Sequence, residues 1–219
     1  MSTEYFDIIN DRDRLHNHLL FCSSFILIYD NFLSTWEQGV YFLYSNCKNS
    51  IINGDETHFA HLPFVRAKWE QFEEYKKNNE PLKCFIECEY KQLKKKYNVK
   101  KGNPMFLWMH EHHFVDRMDI SILERCRIQR NIYAHDLDNT LKHEITQEEK
   151  DLLKSLIDIS ERASQNWVYR VTIPSNKEKQ HLVDYVDSAG NKIDPKPENL
   201  LTGTSIFYSL VLSNLDNIW

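Results

Sequence analysis

Arg130, Asn131 and His135 fall within the segment Arg130-Asn131-Ile132-Tyr133-Ala134-His135. Their side chains complement one another chemically. An imidazole has its reference pKa close to neutrality, so it can take or give a proton at working pH. A guanidinium keeps its charge and presents a fixed fork of donors that matches phosphate oxygens. An amide beside them can orient either group or bind phosphate itself. Such a set suits acid–base chemistry at a phosphate, where stabilising developing charge is often the largest catalytic contribution. The bland reading is that the three residues close a helix, because cationic side chains are favoured at helix C-termini.

The spacing alone is a weak signal. An Arg followed after four to six residues by a His occurs twice, at Arg130–His135 and at Arg12–His18. Only the first has a polar residue directly after the Arg, Asn131, and a small one directly before the His, Ala134. Nearby, Glu124 is placed for an i to i+3 pair with Arg127.

Other groups could carry chemistry. His110-Glu111-His112-His113 offers imidazoles and a carboxylate of the kind that bind zinc or iron. It lacks the His-Glu-x-x-His spacing, and a polar face near the cleft is the simpler reading. Lys91, Lys94, Lys95, Lys96, Lys100 and Lys101 form one basic patch. Its default meaning is a solvated helix end, and its functional meaning is a surface that tracks an RNA backbone. Lys94, Lys95, Lys96, His110 and His113 are therefore the candidate RNA contacts outside the motif. Cys84 and Cys88 lack the second pair of a metal ribbon and read as buried thiols. The glycines are isolated, which excludes a phosphate-cradling loop.

These residues need elements to hold them. Leu15, Leu19, Cys22, Ile26, Tyr29 and Leu33 recur at helical steps, which predicts a long helix over 11–47 with a bend at Gly39. Residues 48–62 read as a loop. Pro63 opens a helix that Asn78-Asn79-Glu80-Pro81 breaks, and another spans about 81–97 until Lys100-Lys101-Gly102-Asn103-Pro104 stops it. Residues 105–118 read as a helix or an irregular crossing. Asp119 is the expected cap of the helix that runs to His135. Thr146-Gln147-Glu148-Glu149 is a capping box before Leu152, Leu153, Leu156 and Ile159. Residues 171–203 read as a loop or small β excursion with a hairpin near Ser188–Asn191, and Ser205–Trp219 as a terminal helix.

Five residues turn an α-helix by about 140°, and four by about 40°. Asn131 and His135 therefore share a face that Arg130 does not, and one chain alone makes a poor site. Two chains about a two-fold axis could face their motifs across a cleft.

The helix closing on Arg130-Asn131-x-x-Ala134-His135, the short polar loop, and the Ile145-Thr146-x-Glu148-Glu149 helix start together resemble the HEPN family. The likeness covers residues 117–165, and the other helices are compatible with it. The resemblance implies an all-α, HEPN-like up-and-down bundle over residues 1–170, with 171–219 as a C-terminal extension packed on the same domain. It implies a metal-independent endoribonuclease in which the RNA 2′-OH attacks the adjacent phosphate, at a composite site on a homodimer interface. His135 would be the general acid/base, Arg130 the phosphate stabiliser, and Asn131 the orienting or phosphate-binding partner. The implied partners are RNA, such as tRNA or mRNA, a second copy of the chain, and an antitoxin or sensor protein. No cofactor and no metal are implied, and the setting is bacterial antiphage defence, abortive infection or toxin–antitoxin pairs. Some HEPN toxins carry a Tyr two residues after the His, where the antitoxin modifies it. Here Leu137 stands there, so that mode of neutralisation is not implied. The alternative of another class is a non-catalytic HEPN-like dimerisation module, and a third is a metallohydrolase built on residues 110–113.

Bulk properties agree with a helical globular protein. The 219 residues are 42% hydrophobic and 27% charged, with only 5 Gly and 6 Pro to interrupt helices. A net charge of −5 argues against non-specific coating of nucleic acid, so any RNA contact is local. Cys22, Cys47, Cys84, Cys88 and Cys126 are odd in number and scattered, as reduced thiols in a cytoplasmic protein would be. The apolar run Leu19–Tyr29 is too short by itself to span a bilayer, and Glu4, Asp7, Asp11 and Asp13 do not suit a signal peptide.

Overall fold

The computed structural model describes residues 11–53, 82–136, 140–141 and 144–172, together with Tyr208, Val211 and Ser213. The described residues form α1 (Arg12–Asn53), α2 (Leu82–Lys96), α3 (Pro104–Glu111), α4 (Arg117–His135) and α5 (Gln147–Trp167). A π-helical turn, Val168–Thr172, continues α5. No strand occurs among the described residues, and the fold is all-α. The expected helix from Pro63, the hairpin near Ser188–Asn191, the excursion after residue 172 and Leu137 lie outside the described residues. Of the expected terminal helix, Tyr208, Val211 and Ser213 are helical.

Local signals set the helix ends. Asp116, not Asp119, is the N-cap of α4, and Asp119 is its capping-box partner, accepting from the Asp116 backbone N–H at 2.8 Å. Asn103 caps α3 by accepting from the Met105 N–H at 2.9 Å, with Pro104 at the first helical position. Thr146 and Glu149 form the expected box at α5: Thr146 Oγ1 accepts from the Glu149 N–H at 3.2 Å, and Glu149 Oε2 accepts from the Thr146 N–H at 2.7 Å. α1 continues to Asn53, through six residues expected as loop.

α1 runs unbroken through Gly39. The glycine's missing side chain makes room for Trp167, whose ring would lie 3.4 Å from an added Cβ. The buried stripe of α1 is also turned from the expected one. Phe21, Cys22, Phe25, Ile28, Tyr29, Phe32, Trp36, Val40, Leu43 and Tyr44 are buried, whereas Leu19 is 40% exposed. Aromatic side chains remove the most area from water, and most of those on α1 lie on this inward face, although Tyr41 and Phe42 are exposed.

The chain divides into two units. The first comprises Met1–Leu33, Asp116–Glu161 and Gly203–Trp219. Its core joins Phe21, Phe25 and Ile28 to Leu123, Cys126 and Tyr133 of α4 and to Leu153 and Leu156 of α5. The Tyr133 ring meets Phe25 edge-on at 5.4 Å and Phe21 at 6.3 Å.

The second unit comprises Ser34–Val115 and Arg162–Thr202. Trp36, Trp108, Phe114 and Trp167 cluster in it, with Trp108 stacked on Phe114 at 5.6 Å. A polar group is embedded beside them. Tyr44 donates to Glu89 Oε2 at 2.5 Å, Trp108 Nε1 donates to the Tyr44 hydroxyl at 3.1 Å, and His112 Nε2 lies 3.8 Å from Glu89 Oε1. All four residues are buried.

By length and composition, α1 is able to cross a membrane over Arg12–Asn46, with a mean hydropathy of 1.3 in its most apolar window. The short run Leu19–Tyr29 thus understates it. The buried aromatic stripe gives a core helix the same apolar character.

Tyr44→Phe removes the hydroxyl that Glu89 and Trp108 share and leaves a buried carboxyl group short of a donor. Urea unfolding should show a loss of about 1–3 kcal/mol, the usual cost of an unsatisfied buried group. An unchanged midpoint and slope would mean the bond contributes nothing.

Candidate functional site

The motif residues occupy the last two turns of α4, in the first unit. One carboxylate braces this stretch. Glu149 Oε1 accepts from the Tyr133 hydroxyl at 2.8 Å and from Gln129 Nε2 at 3.1 Å, while its Oε2 serves the cap of α5. Burial, with the Glu149 carboxylate, pushes the Tyr133 phenol well above its ordinary pKa, so it stays a donor. Cys126 adds a contact to the Leu152 carbonyl at 3.9 Å.

Arg130 turns towards α1. Its Nε donates to Asp30 Oδ1 at 2.9 Å and its Nη2 to Asp30 Oδ2 at 2.7 Å, a bidentate pair. Its Nη1 lies 3.4 Å from Asn131 Oδ1. Hydrogen bonding to Asp30 raises the guanidinium pKa further, so Arg130 is a cation at any working pH. Asn131 and His135 are exposed. His135 has no hydrogen-bond or ion-pair partner among the described residues. Arg130 and Asn131 are thus in contact, and no hydrogen bond or ion pair joins His135 to either. Arg127 pairs with Glu124 at 2.7 Å, the expected i to i+3 contact.

The other candidates fall in the second unit. Lys96 is engaged: its Nζ donates to both Glu111 oxygens at 2.7 and 2.8 Å, and Tyr97 donates to Glu111 Oε2 at 2.7 Å. Burial acts to raise the Glu111 pKa, but the bonds from Lys96 and Tyr97 outweigh it and hold the carboxyl below its ordinary value. Lys95 is exposed and Lys94 half-buried. His110 Nδ1 donates to the Val115 carbonyl at 3.3 Å, His112 is buried, and His113 is exposed at a left-handed φ of 60°. The histidines diverge, and no group of three or more metal-ligating side chains is gathered among the described residues.

A groove of about 380 Å³ lies beside the motif in the first unit. Ile128, Ile132 and Leu152 line its apolar part, and Arg125, Gln129, Thr146, Glu148 and Glu149 its polar part. Arg125 pairs with Glu148 across it at 2.6 Å. No known protein family, curated protein or solved structure matches the chain.

Sequence reasoning missed Asp30. Its signal was a lone carboxylate ending an apolar helical run, one residue after Tyr29. Glu149 was visible as a cap, but not as the brace of the motif helix. The thiols also divide unexpectedly. Cys22 and Cys126 are buried, whereas Cys88, expected to be buried with Cys84, is exposed; the Cys84 side chain lies outside the described residues.

Burial pushes the Cys22 and Cys126 thiols up to about 12. In the native protein both stay protonated up to that pH, whereas in the unfolded chain they ionise near their ordinary value of 9.0. Unfolding therefore releases their protons above pH 9, and the stability they contribute should fall between about pH 9 and 12. At pH 7.5 a thiol reagent should label Cys88 in the native protein and reach Cys22 and Cys126 only on unfolding. Peptide mapping that finds all three labelled equally would refute this.

Proposed function

We propose that the chain is a metal-independent endoribonuclease of HEPN-like build, acting as a homodimer in the cytoplasm. The observation that carries the reading is the state of His135. Its imidazole is exposed and unengaged among the described residues, on the last turn of a braced helix. The permanently charged Arg130 and the amide of Asn131 lie just over a turn before it. That combination supplies a proton carrier and a phosphate-binding cation. The helix closing at His135 and the capped helix after it support the HEPN likeness.

In this reading His135 handles the 2′-OH or leaving-group proton, Arg130 stabilises the charged phosphorane, and Asn131 orients it. Residues 130 and 135 diverge by about 140° on one helix, so each copy contributes to a composite site. RNA, such as tRNA or mRNA, is the substrate. Antiphage defence or a toxin–antitoxin pair, with an antitoxin or sensor protein as partner, is the setting the likeness suggests. One observation favours a non-catalytic dimerisation module instead: Arg130 is already satisfied by Asp30 within its own chain.

The deciding assay incubates the protein with labelled total tRNA in chelator. Cleavage should persist without metal, and His135→Ala should reduce it by about 10²–10⁴-fold, the usual share of general acid–base catalysis. The variant should keep its elution volume and melting temperature, because its side chain holds nothing in place. Normal cleavage by the variant would remove His135 from the reaction, and absence of cleavage by the parent would leave the dimerisation module.

A further inference from the structure

We infer that Asp30 is a positioning residue for Arg130 during phosphodiester cleavage, an assignment that rests on the ribonuclease reading above. A guanidinium has five N–H groups. The Asp30 carboxylate takes one from Nε and one from Nη2, at 2.9 and 2.7 Å, which occupies the lateral edge of the fork. The end edge has one N–H on Nη1 and one on Nη2, and Nη1 donates only a long bond, 3.4 Å, to the exposed Asn131, which an arriving phosphate can replace. Two parallel donors are what a phosphate accepts in a bidentate contact. Asn131 Oδ1 lies 3.4 Å from Nη1 and marks the side on which that edge opens. Asp30 thus fixes one edge of the arginine and leaves the other for the substrate.

The anchor is itself rigid. Asp30 follows Tyr29 and precedes Phe32 on α1, and those neighbours are 2% and 3% exposed. The backbone that carries Asp30 is consequently fixed by core packing, while the side chains of the pair reach the surface, Asp30 44% and Arg130 25% exposed. A free arginine would sample many rotamers, and a fork held in one orientation loses less freedom when the phosphate arrives. Charge acts in the opposite sense. Asp30 offsets part of the cation's attraction for RNA, so its benefit should lie in turnover rather than in binding.

The test is steady-state cleavage of a labelled RNA by the full-length protein. Asp30→Asn preserves the shape but sets an amide against one of the two guanidinium donors. Its kcat should fall about 10–100-fold, the scale of a misplacement near 1 Å, with KM within a few-fold of the parent. Asp30→Glu restores the charge with a longer reach and should recover part of the loss. Added to Arg130→Ala, Asp30→Asn should cost nothing further, because it acts only through that arginine. A residue with a merely structural role would lower the melting temperature and add its effect to Arg130→Ala.

Parent-like kcat in Asp30→Asn, a faster rate, or full additivity with Arg130→Ala would each overturn the assignment while leaving the ribonuclease reading intact. A parent protein that cleaves no RNA would overturn both. Melting curves of Asp30→Asn and Asp30→Glu guard against misfolding, and a folded Asp30→Glu that recovers nothing would also count against the proposal.

Discussion

The candidate site depends on one carboxylate that serves two helices. Glu149 sits in the first turn of α5, where the helix dipole favours an anion, and its Oε2 closes the cap with Thr146. The same group's Oε1 accepts from Tyr133 and Gln129 on α4. Each bond to a charged acceptor is stronger than a neutral one. Because Tyr133 also packs edge-on against Phe25, the brace reaches the aromatic stripe of α1. The end of α4, which in isolation would fray, is fixed on two sides.

A second pairing orients the chemistry. Arg130 and His135 diverge on the helix, and the structure assigns that divergence a partner. The guanidinium is drawn to Asp30, whereas the imidazole is left at the surface. No hydrogen bond or ion pair joins the two groups among the described residues, and the imidazole is exposed rather than spent on the core.

Much of the fold could be read from the sequence because it is written in local signals. The Thr146–Glu149 box, the stop at Gly102-Asn103-Pro104 and the end of α4 at His135 each rest on short-range chemistry. Asp119 was assigned one role too early, since Asp116 and Asp119 share a reciprocal cap and either carboxylate fits the pattern. The stripe of α1 was misplaced because apolar residues surround that helix on most sides, and periodicity then cannot choose a face. No spacing rule ties Gly39 to Trp167, the ring it faces more than a hundred residues away. Asp30 escaped notice for the same reason. Its partner is 100 positions distant, and no spacing rule links them.

The charge balance around the motif limits how RNA could be engaged. Arg125, Arg127 and Arg130 would form a basic strip on α4, yet each is paired with a carboxylate, Glu148, Glu124 and Asp30 respectively. In the second unit Lys96 is likewise held by Glu111. With a net charge of −5, the paired cations of α4 give little local positive potential to draw a polyanion to the motif. A phosphate reaching this strip must therefore exchange with a resident carboxylate or use an edge the carboxylate leaves open. Exposed pairs such as Arg125–Glu148 exchange at little cost, since they contribute at most about 1 kcal/mol. The bidentate Arg130–Asp30 pair is harder to displace, which favours a substrate phosphate on the open edge over one that evicts Asp30. Recognition on these terms is local and geometric, and it suits a site that acts on particular exposed phosphates better than one that coats RNA.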